Sequence, residues 1–165
     1  MKKILIILGL AFAASVTHAA DTNIILRLKA ETDTGFYADQ YLSARTLNFD
    51  HDDYGYGVGL GYQITRHWAA DLRLAHAGLD LEGHAVQEIG GRLVARMPFE
   101  TLAPYTFLGG SFDLERDQWR VQPGAGVEIA LNKTLRIFGE GALDADLKGN
   151  TGYLFSAGLR WRFGK

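Results

Sequence analysis

Cysteine is absent from this sequence of 165 residues, and proline occurs only three times. Without cysteine the chain has no disulfide framework and no thiol for lipid attachment at a cleavage site. An apolar run long enough to cross about 30 Å of hydrocarbon as a helix is missing as well. A basic excess is also lacking, because the formal net charge is −2. We therefore expect neither a disulfide scaffold, nor a helical membrane protein, nor a nucleic-acid-binding protein.

The first residues have the pattern of a secretory leader. Two lysines precede a short apolar run at residues 4–12, and small residues suited to cleavage surround Ala19. This pattern predicts a signal peptide over residues 1–19, because the run is too short for a membrane helix. The leader holds two of the 17 basic and none of the 19 acidic residues, which leaves 15 against 19 and a net charge of −4. Nothing Pro/Ser-rich divides residues 20–165, so we predict one domain there.

Most of the chain alternates apolar residues with charged residues or glycine. From Trp119 to Leu131 every odd position is apolar and every even position is polar or small. A period of two predicts β-strands, because successive side chains on a strand point to opposite faces. Turn signals divide the pattern into eight segments, near residues 36–48, 54–64, 69–78, 85–97, 104–114, 119–131, 135–147 and 152–163.

The connections between these segments fall into two sets that alternate along the chain. One set is charged, at residues 50–53, 80–83, 115–118 and 148–151, and the other is mostly tight, at 65–67, 99–103 and 132–134. An up-and-down sheet places alternate connections at opposite ends, so this division predicts an eight-stranded antiparallel meander closed on itself. Residues 23–31 also alternate, and we interpret them as the start of a long first strand with a break near 32–35, or as a periplasmic lead-in.

The alternation fits a soluble barrel with apolar residues inside or a membrane barrel with apolar residues outside. Two features favour the membrane barrel. The polar face is rich in glycine, which costs stability on a solvated strand but makes room inside a narrow barrel. These glycines are Gly55, Gly57, Gly59, Gly61, Gly90, Gly124, Gly126 and Gly158. Aromatic residues gather toward the strand ends, where transmembrane barrels carry girdles; they are Tyr54, Tyr62, Trp68, Phe99, Trp119, Tyr153, Trp161 and Phe163.

Three segments resemble bacterial eight-stranded outer-membrane barrels, the OmpA-type transmembrane domain and its relatives. They are Gly61–Leu74, Pro104–Gly110 and Tyr153–Phe163, which are similar to a hairpin across a periplasmic turn, to the fifth strand and to the closing strand. The resemblance implies an all-β transmembrane barrel in the bacterial outer membrane. It also implies that the barrel-assembly machinery recognises the closing strand, from which this chain departs by adding Gly164 and Lys165 after the terminal aromatic. We expect a monomer surrounded by outer-membrane lipid and lipopolysaccharide.

Charged residues of both signs occupy the face opposite the apolar one. The inward positions that the alternation predicts are Asp71, Arg73, Glu88, Arg92, Arg96, Asp113, Arg120, Glu128, Arg136, Glu140, Asp144, Asp146, Arg160 and Arg162. Charges inside a narrow barrel must be paired or hydrated, and arginine pairs well with carboxylates on neighbouring strands. We predict a structural ion network in the lumen, formed by Asp71, Arg73, Glu88, Arg92, Arg96, Glu128, Arg136, Glu140, Arg160 and Arg162. A gated polar pore and catalytic carboxylates are the alternatives.

Histidines are the candidates for catalysis on lipid A. The His-x-Ser pairing of lipid A deacylase barrels is absent, since Asp53, Ala69, Gly78 and Val86 stand two residues after the four histidines of the mature chain. His76 and His84 flank one charged loop, which could bring them close together, and they are the histidine candidates for catalysis. The alternating glycines from Gly55 to Gly61 have strand spacing, not that of a dinucleotide-binding loop. The acidic segment 50–53 lacks the spacing of a calcium loop, so we expect no cofactor and no metal.

We predict an integral outer-membrane β-barrel with a plugged, ion-paired lumen, a structural or envelope-maintenance role and no enzymatic activity. The alternatives are a soluble periplasmic, lipocalin-like carrier of an apolar ligand, and a lipid A-modifying enzyme or small gated pore. All of them depend on which face points inward. The positions of Leu159 and Arg160, neighbours on the last segment, decide between the membrane barrel and the carrier.

Overall fold

Eight antiparallel strands close into a barrel in which each strand pairs with its neighbours along the chain. The computed structural model describes residues 34–47, 51–77, 87–97, 99 and 101–163. The strands are β1 (Gly35–Leu47), β2 (His51–Gln63), β3 (Trp68–Ala77), β4 (Glu88–Arg96), β5 (Leu102–Asp113), β6 (Gln118–Ala130), β7 (Leu135–Asp146) and β8 (Thr151–Phe163). Pairing of β8 with β1, from Phe36↔Phe163 to Leu47↔Gly152, closes the barrel. The predicted fold class is confirmed.

Neighbouring residues on β8 show which face points inward. Leu159 keeps 36% of its surface exposed, whereas Arg160 is completely buried. The same contrast holds around the barrel, where six further large apolar side chains on the outside are at least half exposed, namely Leu60, Leu72, Leu93, Leu108, Leu143 and Phe155. The apolar face is therefore the outer face and the charged face is the core. This is the reverse of a lipocalin, so the geometry does not support the carrier alternative.

Aromatic rings on the outer face lie near both ends of the barrel. Phe36 and Tyr62 pack together at one end, with ring centroids 4.9 Å apart. Phe112 and Trp119 pack together at the other end, with centroids 5.1 Å apart. Rings at these levels suit the headgroup regions on the two sides of a bilayer.

The two ends of the barrel differ in their connections. The end that we call the turn end carries the connections 64–67, 97–101 and 131–134, together with the start of β1 and the end of β8. Its turns are closed by side chains: Asn132 Oδ1 accepts hydrogen bonds from the backbone N–H groups of Thr134 and Leu135, both at 2.8 Å. The opposite end, the loop end, carries the connections 48–50, 78–87, 114–117 and 147–150.

Asp146 closes a turn at the loop end instead of pointing into the lumen as predicted. Its Oδ1 accepts hydrogen bonds from the backbone N–H groups of Lys148 at 2.8 Å and Asn150 at 2.9 Å. Gly149, at the centre of this turn, has a φ of 94°, which favours glycine. The side chain departs from the alternation because it sits on the last residue of β7, where the turn offers unpaired N–H groups.

Two predicted connections are shorter than expected. Segment 51–53 belongs to β2, where it pairs with residues 45–47 of β1. Hydrogen bonds between strands join backbone groups, so the pairing can continue beyond the last apolar side chain. Leu102 likewise begins β5 and pairs with Ile129, while the N–H of Phe99 donates to its carbonyl at 2.9 Å and closes the turn. The polar residues 51–53 were therefore wrongly assigned to a connection, and so were the apolar residues Leu102 and Ala103.

Several predictions fall outside the described residues. They concern the signal peptide at 1–19, the alternating segment 23–31, the acidic loop 80–83, His84, and the departure at Gly164 and Lys165. No helix in the described part of the chain is long and apolar enough to cross a bilayer.

Candidate functional site

The lumen is filled by ion pairs between residues of seven of the eight strands, β1 and β3 to β8. Among the described residues, eight arginines and seven carboxylates take part. They form three groups that follow one another along the barrel axis. The turn-end cluster contains Asp39, Arg96, Glu128, Arg136, Arg160 and Arg162. The middle cluster contains Asp71, Arg73, Arg92 and Glu140, and the loop-end cluster contains Arg45, Glu88, Asp113, Arg120 and Asp144.

Arg160 is the best-bonded residue of the turn-end cluster. Its Nε and Nη2 donate to the two carboxylate oxygens of Asp39, both at 2.6 Å, and its Nη1 donates to Glu128 at 2.5 Å. All three side chains are almost or completely buried. Planar guanidinium and carboxylate groups match in this forked geometry, which is why the pairs tolerate burial. The three residues join β8, β1 and β6.

Three further arginines surround Glu128. The Nη1 of Arg136 lies 2.9 Å from its Oε1, the Nη2 of Arg96 lies 3.5 Å from its Oε2, and the Nη2 of Arg162 lies 3.8 Å from its Oε1. Arg96 also donates from Nη1 to the side-chain oxygen of Gln63 at 2.7 Å. One carboxylate thus faces four guanidiniums, only one of which is also paired with Asp39.

The middle cluster is centred on Glu140 of β7. Glu140 accepts hydrogen bonds from Arg73 at 2.5 Å, from Arg92 at 2.7 Å and from the hydroxyl of Tyr105 at 2.7 Å. Arg92 also donates from Nε to Asp71 at 2.7 Å. The network crosses the barrel from β3 and β4 to β7, so it ties walls that are not neighbours in the sheet.

The loop-end cluster is centred on Asp144. Its Oδ2 lies 2.8 Å from both Arg45 Nε and Arg120 Nη1. Arg45 also donates from Nη2 to Glu88 at 2.6 Å. Gln122 joins the two carboxylates, since its amide nitrogen donates to Glu88 and to Asp144 at 3.1 Å each.

Aromatic rings separate the guanidiniums in the turn half of the lumen. Tyr37 lies between Arg160, whose guanidinium carbon is 4.4 Å from the ring centroid, and Arg96 at 5.2 Å. Phe138 similarly lies between Arg160 at 5.2 Å and Arg73 at 5.6 Å. Both rings are almost completely buried. Guanidiniums stacked on desolvated rings gain cation–π energy, and the rings fill space that water would otherwise occupy.

Inward-facing rings lie over inward-facing glycines on the neighbouring strands. The pairs in register are Tyr37↔Gly61, Tyr41↔Gly57, Tyr41↔Gly158, Tyr105↔Gly126 and Phe107↔Gly124. For four of these glycines a Cβ atom would overlap the ring of the opposite aromatic residue, and for Gly158 it would meet the Tyr41 backbone and the carbonyl of Gln40. The glycines therefore make room inside the barrel, and the partners that use this room are tyrosine and phenylalanine rings.

The ten residues predicted for the lumen are divided among the clusters. Arg96, Glu128, Arg136, Arg160 and Arg162 lie in the turn-end cluster, Asp71, Arg73, Arg92 and Glu140 in the middle cluster, and Glu88 in the loop-end cluster. Glu128 and Glu140 share the lumen but no arginine. The register explains this, since Glu128 is opposite Phe138 and Glu140 is opposite Gly126, which puts the two carboxylates on different levels.

Sequence reasoning missed the contribution of β1. Asp39 and Arg45 face the lumen with Tyr37 and Tyr41, at the odd positions of that strand. The signal was present as alternation, but both faces of β1 mix aromatic and polar residues, so neither face was identified as the charged one. Tyr105, Phe107 and Phe138, which are also buried in the lumen, were missed because an aromatic residue was interpreted as apolar and therefore outward.

A cavity of about 60 Å³ lies between the middle and loop-end clusters. Its lining is rich in glycine and includes the polar side chains of Ser43, Arg73, Glu88, Ser111, Gln122 and Ser156. A water molecule needs roughly 10–15 Å³ of such space, so the cavity has room for several waters. The loop half of the lumen is thus less tightly filled than the turn half, where Tyr37 and Phe138 pack.

Of the candidate pair of histidines, His76 lies on the outer face of β3. The ring of His76 lies beside that of Tyr56, with centroids 5.2 Å apart, on the face opposite that of Asp71 and Arg73. Its predicted partner His84 lies outside the described residues. In the described ranges no group of three or more His, Cys, Asp or Glu side chains is arranged to hold a metal ion.

Comparison with known proteins agrees with this geometry. The family model described as the outer membrane protein beta-barrel domain matches residues 5–163. The chain belongs to this family. Together with the exposed apolar face, membership shows an integral β-barrel of the bacterial outer membrane, as the sequence predicted. No curated protein sequence matches the chain.

Solved structures of transmembrane barrels are similar to the chain in fold. The de novo designed barrel TMB2.3 has a TM-score of 0.55 at 12% identity, with 80% of this chain and 97% of the designed chain covered. The outer membrane protein OprG from Pseudomonas aeruginosa has a TM-score of 0.52 at 12% identity, with 81% and 98% covered. At these identities the likeness shows the fold alone.

Proposed function

We propose that this protein is a structural component of the outer membrane whose lumen is closed by its three ion-pair clusters. In this role the barrel maintains the envelope by its presence in the lipid and catalyses no reaction. It acts as a monomer, is surrounded by outer-membrane lipid and lipopolysaccharide, and is inserted by the barrel-assembly machinery. The turn end faces the periplasm, since all its connections are short whereas the loop end carries the long connection 78–87, and outer-membrane barrels have short periplasmic turns and longer outer loops.

The observation that carries the proposal is the burial of Arg160 between Asp39 and Glu128. The guanidinium makes three short hydrogen bonds to carboxylates on two other strands and is stacked against Tyr37 and Phe138. These three hydrogen bonds and two ring contacts support a lumen that is closed to water at the level of Arg160. Because the bonds are charge-assisted and buried, opening this level requires separating ions in a low dielectric.

Conductance across a planar bilayer tests the closed lumen. The wild-type protein, folded in detergent and inserted into the bilayer, is expected to give no stepwise currents. Insertion is verified by fractionation with membranes and by a change in gel mobility on boiling, which reports the folded barrel. Regular single-channel steps from the inserted wild-type protein would contradict a closed lumen.

A small gated pore is the second candidate, and the cavity in the loop half favours it. Because that half already contains a cavity with space for water, passage depends on the turn-end and middle clusters. For a pore, Glu128→Ala or Arg160→Ala should change the size or frequency of the current steps, because each removes a completely buried side chain from the lumen. Arg66→Ala, in an exposed turn at the same end, is the control. Silence in all of these proteins supports the closed barrel instead.

A further inference from the structure

The three clusters differ in their balance of charge. The turn-end cluster has four guanidiniums for two carboxylates, the middle cluster has two for two, and the loop-end cluster has two for three. Burying unpaired positive charge is costly, and a cluster with excess guanidiniums stabilises an added anion. The excess lies at one end of the lumen and faces one mouth of the barrel.

Hydrogen-bond donors in the turn-end cluster also lack partners. The Nε and Nη2 of Arg96 are buried without a hydrogen bond, and so are the Nε atoms of Arg136 and Arg162. Arg96 is only 3% exposed, so solvent does not satisfy these groups. The Nη2 of Arg96 lies 3.5 Å from a carboxylate oxygen of Glu128, and the Nη2 of Arg162 lies 3.8 Å from the other oxygen of the same carboxylate. Donors left unpaired in a buried site favour an acceptor from outside.

The cluster is accessible from the turn end. Arg136 is the second residue of β7 and Arg162 is the second-last residue of β8, so both sit at the mouth. Their side chains keep 11% and 20% of their surface exposed, whereas Arg160 deeper in the lumen keeps none. The backbone N–H of Arg162 donates to the carbonyl of Thr134 at 2.7 Å, which fixes the strand end beside the 131–134 turn. A small solute therefore meets Arg136 and Arg162 before it meets Glu128.

We propose that the turn-end mouth binds an oxyanion of the phosphate class through Arg96, Arg136 and Arg162. A tetrahedral oxyanion offers several acceptors to guanidiniums that approach from different strands, and arginine matches this geometry better than lysine does. Glu128 lies on the inner side of the site and limits its affinity by repulsion. The source of the phosphate is either free phosphate or the headgroup of a phospholipid, which share this chemistry. The site is independent of whether the lumen conducts.

The test is a titration of ¹⁵N-labelled wild-type protein, folded in neutral maltoside micelles, with inorganic phosphate. We expect saturable shifts of the backbone amides of Thr134, Arg136 and Arg162, and no shifts at the loop-end turn 114–117. Arg162→Gln and Arg136→Gln should each weaken the binding about tenfold, since each removes charge-assisted hydrogen bonds. Arg66→Gln, which removes an exposed charge at the same end, should leave it unchanged.

A second arm separates the two sources of phosphate. Phosphatidylglycerol added to the same micelles at constant ionic strength should compete with inorganic phosphate if the headgroup reaches the site, and should leave the titration unchanged if the site takes free phosphate. Either result supports an oxyanion site. The proposal is overturned if the wild-type amides at the mouth do not respond to phosphate, or if Arg66→Gln weakens binding as much as Arg162→Gln does, which would indicate diffuse surface charge. The wild-type spectra keep the test decisive if a variant does not fold.

Discussion

Arg160 and Asp39 face each other where the last strand meets the first, and the guanidinium donates to both carboxylate oxygens at 2.6 Å. The two residues are 121 positions apart in sequence, so the pair forms only when the barrel closes. A slip of one residue between β1 and β8 would turn one of the two charges toward lipid. The pair therefore favours the observed register of closure as well as filling the lumen.

Removal of Arg160 should be strongly destabilising. Arg160→Ala leaves the buried carboxylates of Asp39 and Glu128 without their closest partner, and breaking a buried pair in this way costs about 3 to 5 kcal/mol. Urea unfolding in lipid vesicles, followed by tryptophan fluorescence, measures the free energy of unfolding. Arg116→Ala, in the exposed loop-end turn, is the control and should change it by no more than about 0.5 kcal/mol. A loss below about 1 kcal/mol for Arg160→Ala would contradict the role assigned to the pair.

Gly61→Ala should destabilise the barrel although the side chain added is a single methyl group. A Cβ at Gly61 overlaps the ring of Tyr37, which is almost completely buried and also contacts the guanidiniums of Arg96 and Arg160. Overpacking of this kind costs about 1 to 3 kcal/mol. Gly139→Ala, on the outer face of β7, is the matched control, since nothing lies within 4 Å of its Cβ position. Equal unfolding free energies for the two variants would show that the packing of the Tyr37 ring does not require a glycine at position 61.

The hydroxyl of Tyr105 should contribute measurably to stability. It donates to Glu140 at 2.7 Å in the middle cluster, and Tyr105→Phe removes a hydrogen bond to a buried charged group. Such bonds are worth about 1.5 to 3 kcal/mol. Tyr62→Phe, on the outer face, removes a hydroxyl that meets the headgroup region and should change the unfolding free energy little. The same urea titration compares the two, and a larger effect at Tyr62 would argue against the middle cluster as described.

A charge on the outer face should be costly at the level of the hydrocarbon. Leu108, in the centre of β5, is 61% exposed on that face, and Leu108→Arg should cost about 2 to 4 kcal/mol in vesicles. Leu114→Arg, in the loop-end turn, places the same charge in water and should cost much less. Their difference in unfolding free energy measures the hydrophobic environment of Leu108. Similar values for both variants would place Leu108 outside the bilayer.

The fold was predictable from sequence because apolar and polar residues alternate with the period of a strand. In addition, charged connections alternate with tight ones along the chain, as expected when successive connections of an up-and-down sheet lie at opposite ends. The distribution of the ions was not predictable to the same degree. The alternation predicts that Glu128 and Glu140 both point inward. Only the register between β6 and β7 shows that they lie at different heights along the barrel axis. Asp39 was hidden because both faces of β1 carry aromatic residues. The contact of the Tyr37 ring with Gly61 depends on the register between β1 and β2, which the sequence of either strand alone does not determine.

The central claim is that the apolar face meets lipid while the charges face the axis, and the absence of cysteine makes a direct measurement possible. Leu159→Cys supplies a single thiol for a fluorescent label on the outer face of β8, and Lys148→Cys supplies one in the exposed turn at the loop end. In vesicles of brominated phospholipid, the label at residue 159 should be strongly quenched and the label at residue 148 should not. A label at residue 159 that emits as in water and escapes quenching would contradict the account.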